Sequence, residues 1–82
     1  MIKILFFAQL RERLDCDAMT FDLNSTVTTG WLRRQLAEQG ELWRDCLQQG
    51  NLLMAVNQTL VDENAVVHDG DEVAFFPPVT GG

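Results

Sequence analysis

The chain has 82 residues, 46% of them hydrophobic and 22% charged, with a formal net charge of −6. That length allows one domain with one modest core and leaves little room for an enclosed catalytic pocket. The acidic balance excludes a phosphate-neutralising nucleic-acid binder and disfavours an anionic membrane surface, while favouring partners with basic patches.

The first segment, Ile2 to Ala8, is rich in β-branched and aromatic residues and reads as a strand. It is too short for a secretory leader, so a cytoplasmic location is the simplest expectation. By parity Ile2, Ile4 and Phe6 share one face, and Lys3, Leu5 and Phe7 share the other. Lys3 marks that second face as the outer one, which puts the Phe7 ring outside. Gln9 to Leu14 reads as a short helical turn carrying Arg11, Glu12 and Arg13. Ala18 to Leu23 alternates Met19, Phe21 and Leu23 against Thr20 and Asp22, as a half-buried strand does.

Asn24-Ser25-Thr26 offers N-cap oxygens to a helix whose apolar stripe runs Val27, Trp31, Leu32, Leu36 and which Gly40 closes. Gly30 sits inside it at a cost of about 1 kcal/mol relative to alanine. Glu41 to Leu47 reads as a second short helix with Leu42, Trp43 and Leu47 turned inward. Leu52 to Val56 is a nearly continuous apolar run, as in a central strand buried on both faces. Asn57-Gln58 is a turn, Thr59-Leu60-Val61 a short return strand, and Asp69-Gly70-Asp71 a further turn. Glu72 to Phe76 is the last strand, with Val73 and Phe75 on one face. Glu72 marks the other face as the outer one and predicts an exposed Phe76. Pro77-Pro78 then ends the sheet, because proline donates no N–H to a ladder. Helices on one face of a mixed sheet make this an α+β domain over 1–76, followed by a free C-terminal tail over 77–82.

No phosphate cradle of the G-x-x-x-x-G-K or G-x-G-x-x-G type occurs. Cys16, Cys46 and the single histidine, His68, cannot supply the four ligands of a zinc or iron–sulfur site, so no metal is expected and the two cysteines read as unpaired thiols. His68 beside the Asp69-Gly70 turn reads as a surface histidine. No nucleophile has a base beside it, so a self-contained enzyme is not expected. The tail is the exception. Pro77, Pro78, Val79 and Thr80 all favour an extended backbone, and Gly81-Gly82 is slim enough for a narrow tunnel. Six extended residues reach about 20 Å, enough to enter a deep site on another protein.

Asp69-Gly70-Asp71-Glu72-Val73-Ala74-Phe75-Phe76-Pro77-Pro78-Val79-Thr80-Gly81-Gly82 resembles the end of the MoaD family, the small sulfur-carrier subunits of molybdopterin synthase. Met1 to Arg11 and Ala55 to Val61 resemble that family too. The resemblance implies a ubiquitin-like β-grasp fold and a Gly82 carboxylate that is adenylated and then converted to a thiocarboxylate. It implies a MoeB-like activating enzyme that consumes ATP, no cofactor bound to this chain, and docking on a MoaE-like large subunit. There the tail, Pro77 to Gly81, enters the partner's site and sulfur passes to cyclic pyranopterin monophosphate. It adds Leu60 to the outer face that carries Phe7 and Phe76; the competing arrangement hides those rings beneath a helix. Arg11, near that patch, reads equally as a partner-facing cation and as a solvated arginine. The same tail belongs to sister carriers for thiazole synthesis or tRNA thiolation, and to ubiquitin-like modifiers joined to lysine.

Overall fold

The computed structural model describes residues 1–78. Its elements are β1 (Ile2–Phe6), α1 (Ala8–Leu14), β2 (Ala18–Phe21), β3 (Val27–Thr28), α2 (Thr29–Ala37), α3 (Glu41–Leu47), β4 (Leu53–Val56), β5 (Thr59–Val61), β6 (Val66–Val67) and β7 (Glu72–Phe76). Five strands form one mixed sheet in the order β2-β1-β7-β4-β5. The first and last strands lie parallel at its centre, Lys3 opposite Glu72 and Phe6 opposite Phe75, and all other neighbours are antiparallel. This is the β-grasp arrangement, an α+β fold of the class expected from the sequence.

One face of the sheet carries the core. Ile2, Ile4 and Phe6 of β1 and Val73 and Phe75 of β7 are almost fully buried, together with Leu32, Leu36 and Leu47 of the helices. Phe6 stacks on Phe75 with ring centroids 6.0 Å apart and meets the Trp43 ring edge-on at 5.5 Å. These arrangements suit the aromatic quadrupole better than a face-to-face sandwich. They give Trp43 a packing role at the α3–sheet contact.

The sequence reading needs correction between residues 24 and 30. Val27 does not begin the helix; it pairs with Val67 in a small second sheet of β3 and β6, which the helical stripe concealed. The N-cap is Thr28, whose Oγ accepts from the Trp31 N–H at 3.1 Å, and not the Asn24-Ser25-Thr26 run. The first turn of α2 is tied down from outside. Thr29 N–H donates to the Ala65 carbonyl and Gly30 N–H to the Glu63 carbonyl, both at 2.9 Å. These bonds occupy donors that a helix start otherwise leaves unmet. Gly30 is required by the approach itself, since a Cβ there would lie 3.0 Å from the Glu63 carbonyl oxygen.

Other departures are smaller. The stretch Ala8–Leu14 is a full α-helix. Leu42, expected inward, is 44% exposed, and only Cys46 and Leu47 of α3 are buried. Two residues of the central β4, Leu53 and Val56, are half-buried. Cys16 and Cys46 are free thiols, and His68 is exposed. No helix among the described residues is long and apolar enough to cross a membrane.

Candidate functional site

Among the described residues, no element covers the face of the sheet away from the helices. Strand pairing fixes what it displays, because residues directly opposite one another project to the same side. Leu60 lies opposite Ala55, Ala55 opposite Ala74, and Ala74 opposite Leu5, a continuous row across four strands. The two alanines at the middle leave a depression between larger side chains. An open hollow of about 580 Å³ results, walled by Leu5, Phe7, Ala55, Ala74, Phe76 and Pro77 and lined almost entirely by carbon.

Phe7 is 44% exposed and its ring meets that of Phe76 edge-on, with centroids 6.5 Å apart. Phe76 is half-buried, not the exposed residue that parity predicted, because this contact and Leu53 opposite it on β4 cover part of the ring. Leu60 is 61% exposed on the same face but flanks the hollow without lining it. Arg11 is exposed in the last turn of α1 and takes part in no ion pair among the described residues. The structure therefore joins Phe7, Phe76 and Pro77 in one site, leaves Leu60 at its flank, and places Arg11 outside its walls. Leu5 joins Phe7, Phe76 and Pro77 from the face that parity assigns it, and Ala55 and Ala74 are site residues that sequence reasoning does not mark. Their signal was small residues at the outward positions of two adjacent strands.

Pro77 lines the hollow and Pro78 follows it, so the tail starts from the edge of this site. Val79, Thr80, Gly81 and Gly82 lie outside the described residues.

A rigid polar tie holds the opposite end of β7. The Asp71 carboxylate accepts from the His68 backbone N–H at 2.8 Å and from Asn57 Nδ2 at 3.0 Å. Asn57 also exchanges two bonds with the Glu72 backbone, at 2.8 and 3.0 Å. The His68 N–H and then the Asn57 amide hold the Asp71 carboxyl below its ordinary pKa, as donors to the ionised form do.

Among the described residues, no three His, Cys, Asp or Glu side chains gather as metal ligands would. An uncovered apolar depression beside a chain exit suits a docking face.

The model of the ThiS family matches residues 4–82. The chain is 54% identical to the molybdopterin synthase sulfur carrier subunit of Escherichia coli (strain K12) and 46% identical to that of Haemophilus influenzae, covering all of both chains in each case. Among solved structures, it is similar to a chain of a complex of subunits 1 and 2 of molybdopterin-converting factor from Helicobacter pylori 26695. That match has a TM-score of 0.68 and 27% identity, and covers 99% of this chain and 97% of the other. SAMP1 from Haloferax volcanii shares the fold, with a TM-score of 0.79 at 23% identity over 99% of this chain and 98% of the other.

Proposed function

Because the chain belongs to the ThiS family, we propose that it is the sulfur carrier subunit of a molybdopterin synthase. The observation that carries the reading is the coincidence of two features in one place. The uncovered apolar hollow and the root of a tail ending in Thr80-Gly81-Gly82 share Pro77. Support also comes from relatives that carry this name and align over their whole length.

The chemistry follows from the tail. A terminal carboxyl with an ordinary pKa of about 3.5 is ionised at neutral pH and is a poor electrophile. An oxygen of the Gly82 carboxylate attacks the α-phosphorus of ATP on a MoeB-like activating enzyme. An acyl-adenylate forms and pyrophosphate leaves. Hydrosulfide then displaces AMP and leaves a thiocarboxylate; a persulfide donor gives an acyl disulfide instead, which a second thiol reduces to the thiocarboxylate as it forms a disulfide with the donor's sulfur. In the large, MoaE-like subunit, that sulfur forms a bond to a carbon of cyclic pyranopterin monophosphate as a carbon–oxygen bond at that carbon breaks and the oxygen departs. Hydrolysis of the resulting acyl–sulfur bond leaves sulfur on the substrate and returns the carboxylate. The carrier supplies the reacting atom and its delivery, while the partner enzymes supply acid–base groups and the energy of activation. It binds no cofactor of its own, turns nothing over alone, and works in the cytoplasm where its activating enzyme finds ATP.

Intact-mass analysis of protein recovered from cells with the pathway intact tests this. A fraction should carry sulfur in place of one terminal oxygen. Complete absence of that species, with ATP, a sulfur donor and the activating enzyme supplied, overturns the carrier reading. Recovery of the chain joined through Gly82 to lysines instead marks a protein modifier.

A further inference from the structure

Among the described residues, four other than glycine hold a left-handed backbone: Ala8 at φ 53°, Asp15 at 52°, Asn57 at 49° and Gln58 at 70°. Two have local reasons. Asp15 ends α1, with its N–H bonded back to the Arg11 carbonyl. Asn57 opens the β4–β5 hairpin and spends its side chain on Asp71 and Glu72. Aspartate and asparagine also tolerate this conformation well.

Ala8 and Gln58 have neither excuse. Both positions suit glycine on backbone grounds. At Ala8 the chain turns from strand to helix within one residue. The Phe7 N–H is still bonded to Phe75 in the sheet, while the Phe7 carbonyl already accepts from Leu10 and Arg11. Gln58 is the second residue of a two-residue hairpin with both central φ angles positive, where Asn-Gly is the favoured pair. Yet both carry side chains, and both line the apolar hollow beside Pro77; Asp15 and Asn57 do not. Gln58 is exposed, and among the described residues its carboxamide makes no hydrogen bond. Backbone strain that a side chain forces on the free protein, at a site, points to a role for that side chain.

We propose that Ala8 and Gln58 are specificity-determining residues of the docking face. The Ala8 methyl packs against the large synthase subunit, and the Gln58 carboxamide hydrogen-bonds to it at the rim of the hollow. The occupant is the large subunit because a similar chain is found in a complex of subunits 1 and 2 of molybdopterin-converting factor. The four residues after Pro78 extend at most about 14 Å, so a protein that receives Gly82 lies close to the hollow that Pro77 lines. The inference rests on the sulfur-carrier reading.

The test measures melting temperature, and affinity for the same organism's large subunit by titration calorimetry, in the full chain and four variants. Ala8→Gly and Gln58→Gly relieve the backbone. Each should raise the melting temperature, by roughly 4 °C if the full left-handed penalty is recovered, and weaken binding at least fivefold. Gln58→Ala keeps the strained turn and removes the carboxamide. It should melt near the parent and bind as weakly as Gln58→Gly. Asp15→Gly, outside the hollow, should leave affinity unchanged. Parent-like affinity in both glycine variants overturns the proposal while leaving the carrier reading intact. A lower melting temperature in either overturns the strain argument. Failure of the parent chain to bind the large subunit overturns the carrier reading and this inference together.

Discussion

Adjacent phenylalanines with opposite duties show how finely the chain divides its work. Phe6 is 1% exposed between Phe75 and Trp43, whereas Phe7 is 44% exposed over the hollow. Truncating a fully packed ring leaves a cavity as well as losing its transfer energy, so Phe6→Ala should cost about 3–5 kcal/mol. Phe7→Ala should cost about 1 kcal/mol, the centre of the range for point substitutions in general, while weakening the large subunit's binding by more than that. Denaturant melts and binding titrations on both variants check the contrast; a comparable stability loss for Phe7→Ala would place its ring in the fold and not in the site. Gly30 makes the opposite point about local rules. Helix propensity favours Gly30→Ala by about 1 kcal/mol. The Glu63 carbonyl 3.0 Å from the new Cβ forces a shift at the α2 start, where two backbone bonds are made. Net destabilisation of about 1–2 kcal/mol is expected, in the range of mild overpacking, and a stabilised Gly30→Ala would show that the 62–65 segment yields freely.

Among the elements, those with a strong period were legible and those held by partners were not. The alternation in β1, β2 and β7 followed directly from parity, and Gly40 and the Gly50 region bounded the helices. The two-residue strands β3 and β6 were invisible, because Val27-Thr28 and Val66-Val67 carry no period of their own and exist only through each other. Val27 also lies four residues from Trp31, so it completed a false helical stripe. The apolar hollow was half legible. Its aromatic rims could be placed by parity, whereas the alanines that make it hollow, Ala55 and Ala74, become neighbours only through the β4–β7 register. The tie between the Asn57 and Asp71 turns was likewise non-local, and its pH behaviour can be stated. Asp71 has a folded pKa below its ordinary value. Its contribution is therefore complete above the unfolded pKa of about 4 and is lost as pH falls through the lower folded value. Asp71→Asn should cost about 1–2 kcal/mol at pH 7, as hydrogen bonds to a charged group do. The gap from the parent should close below pH 4, and a gap that persists unchanged in acid would mean the carboxylate charge plays no part.

Across the whole molecule, folding and chemistry occupy separate parts of one chain. The buried core of the described residues ends at Phe75 and the last strand at Phe76. The reactive carboxylate of the proposed function lies six residues further on, at Gly82. A domain of this size has little stability to spare, on the order of 5 kcal/mol, so a terminus that contributed to the core would be missed at once. Deleting 79–82 should therefore move the melting temperature by no more than about 2 °C, less than a loss of 1 kcal/mol produces in a domain this small. The same deletion should abolish sulfur loading completely, because the new terminal carboxylate, on Pro78, stops about 14 Å short of the reach of Gly82. Binding to the large subunit should weaken yet persist, since Phe7, Phe76 and Leu60 remain on the uncovered face. Scanning calorimetry, intact mass after incubation with the activating enzyme, ATP and a sulfur donor, and titration with the large subunit read the three quantities on one variant. A drop in melting temperature of several degrees would show that the tail is part of the fold. Complete loss of binding would move the docking energy from the sheet face to the tail.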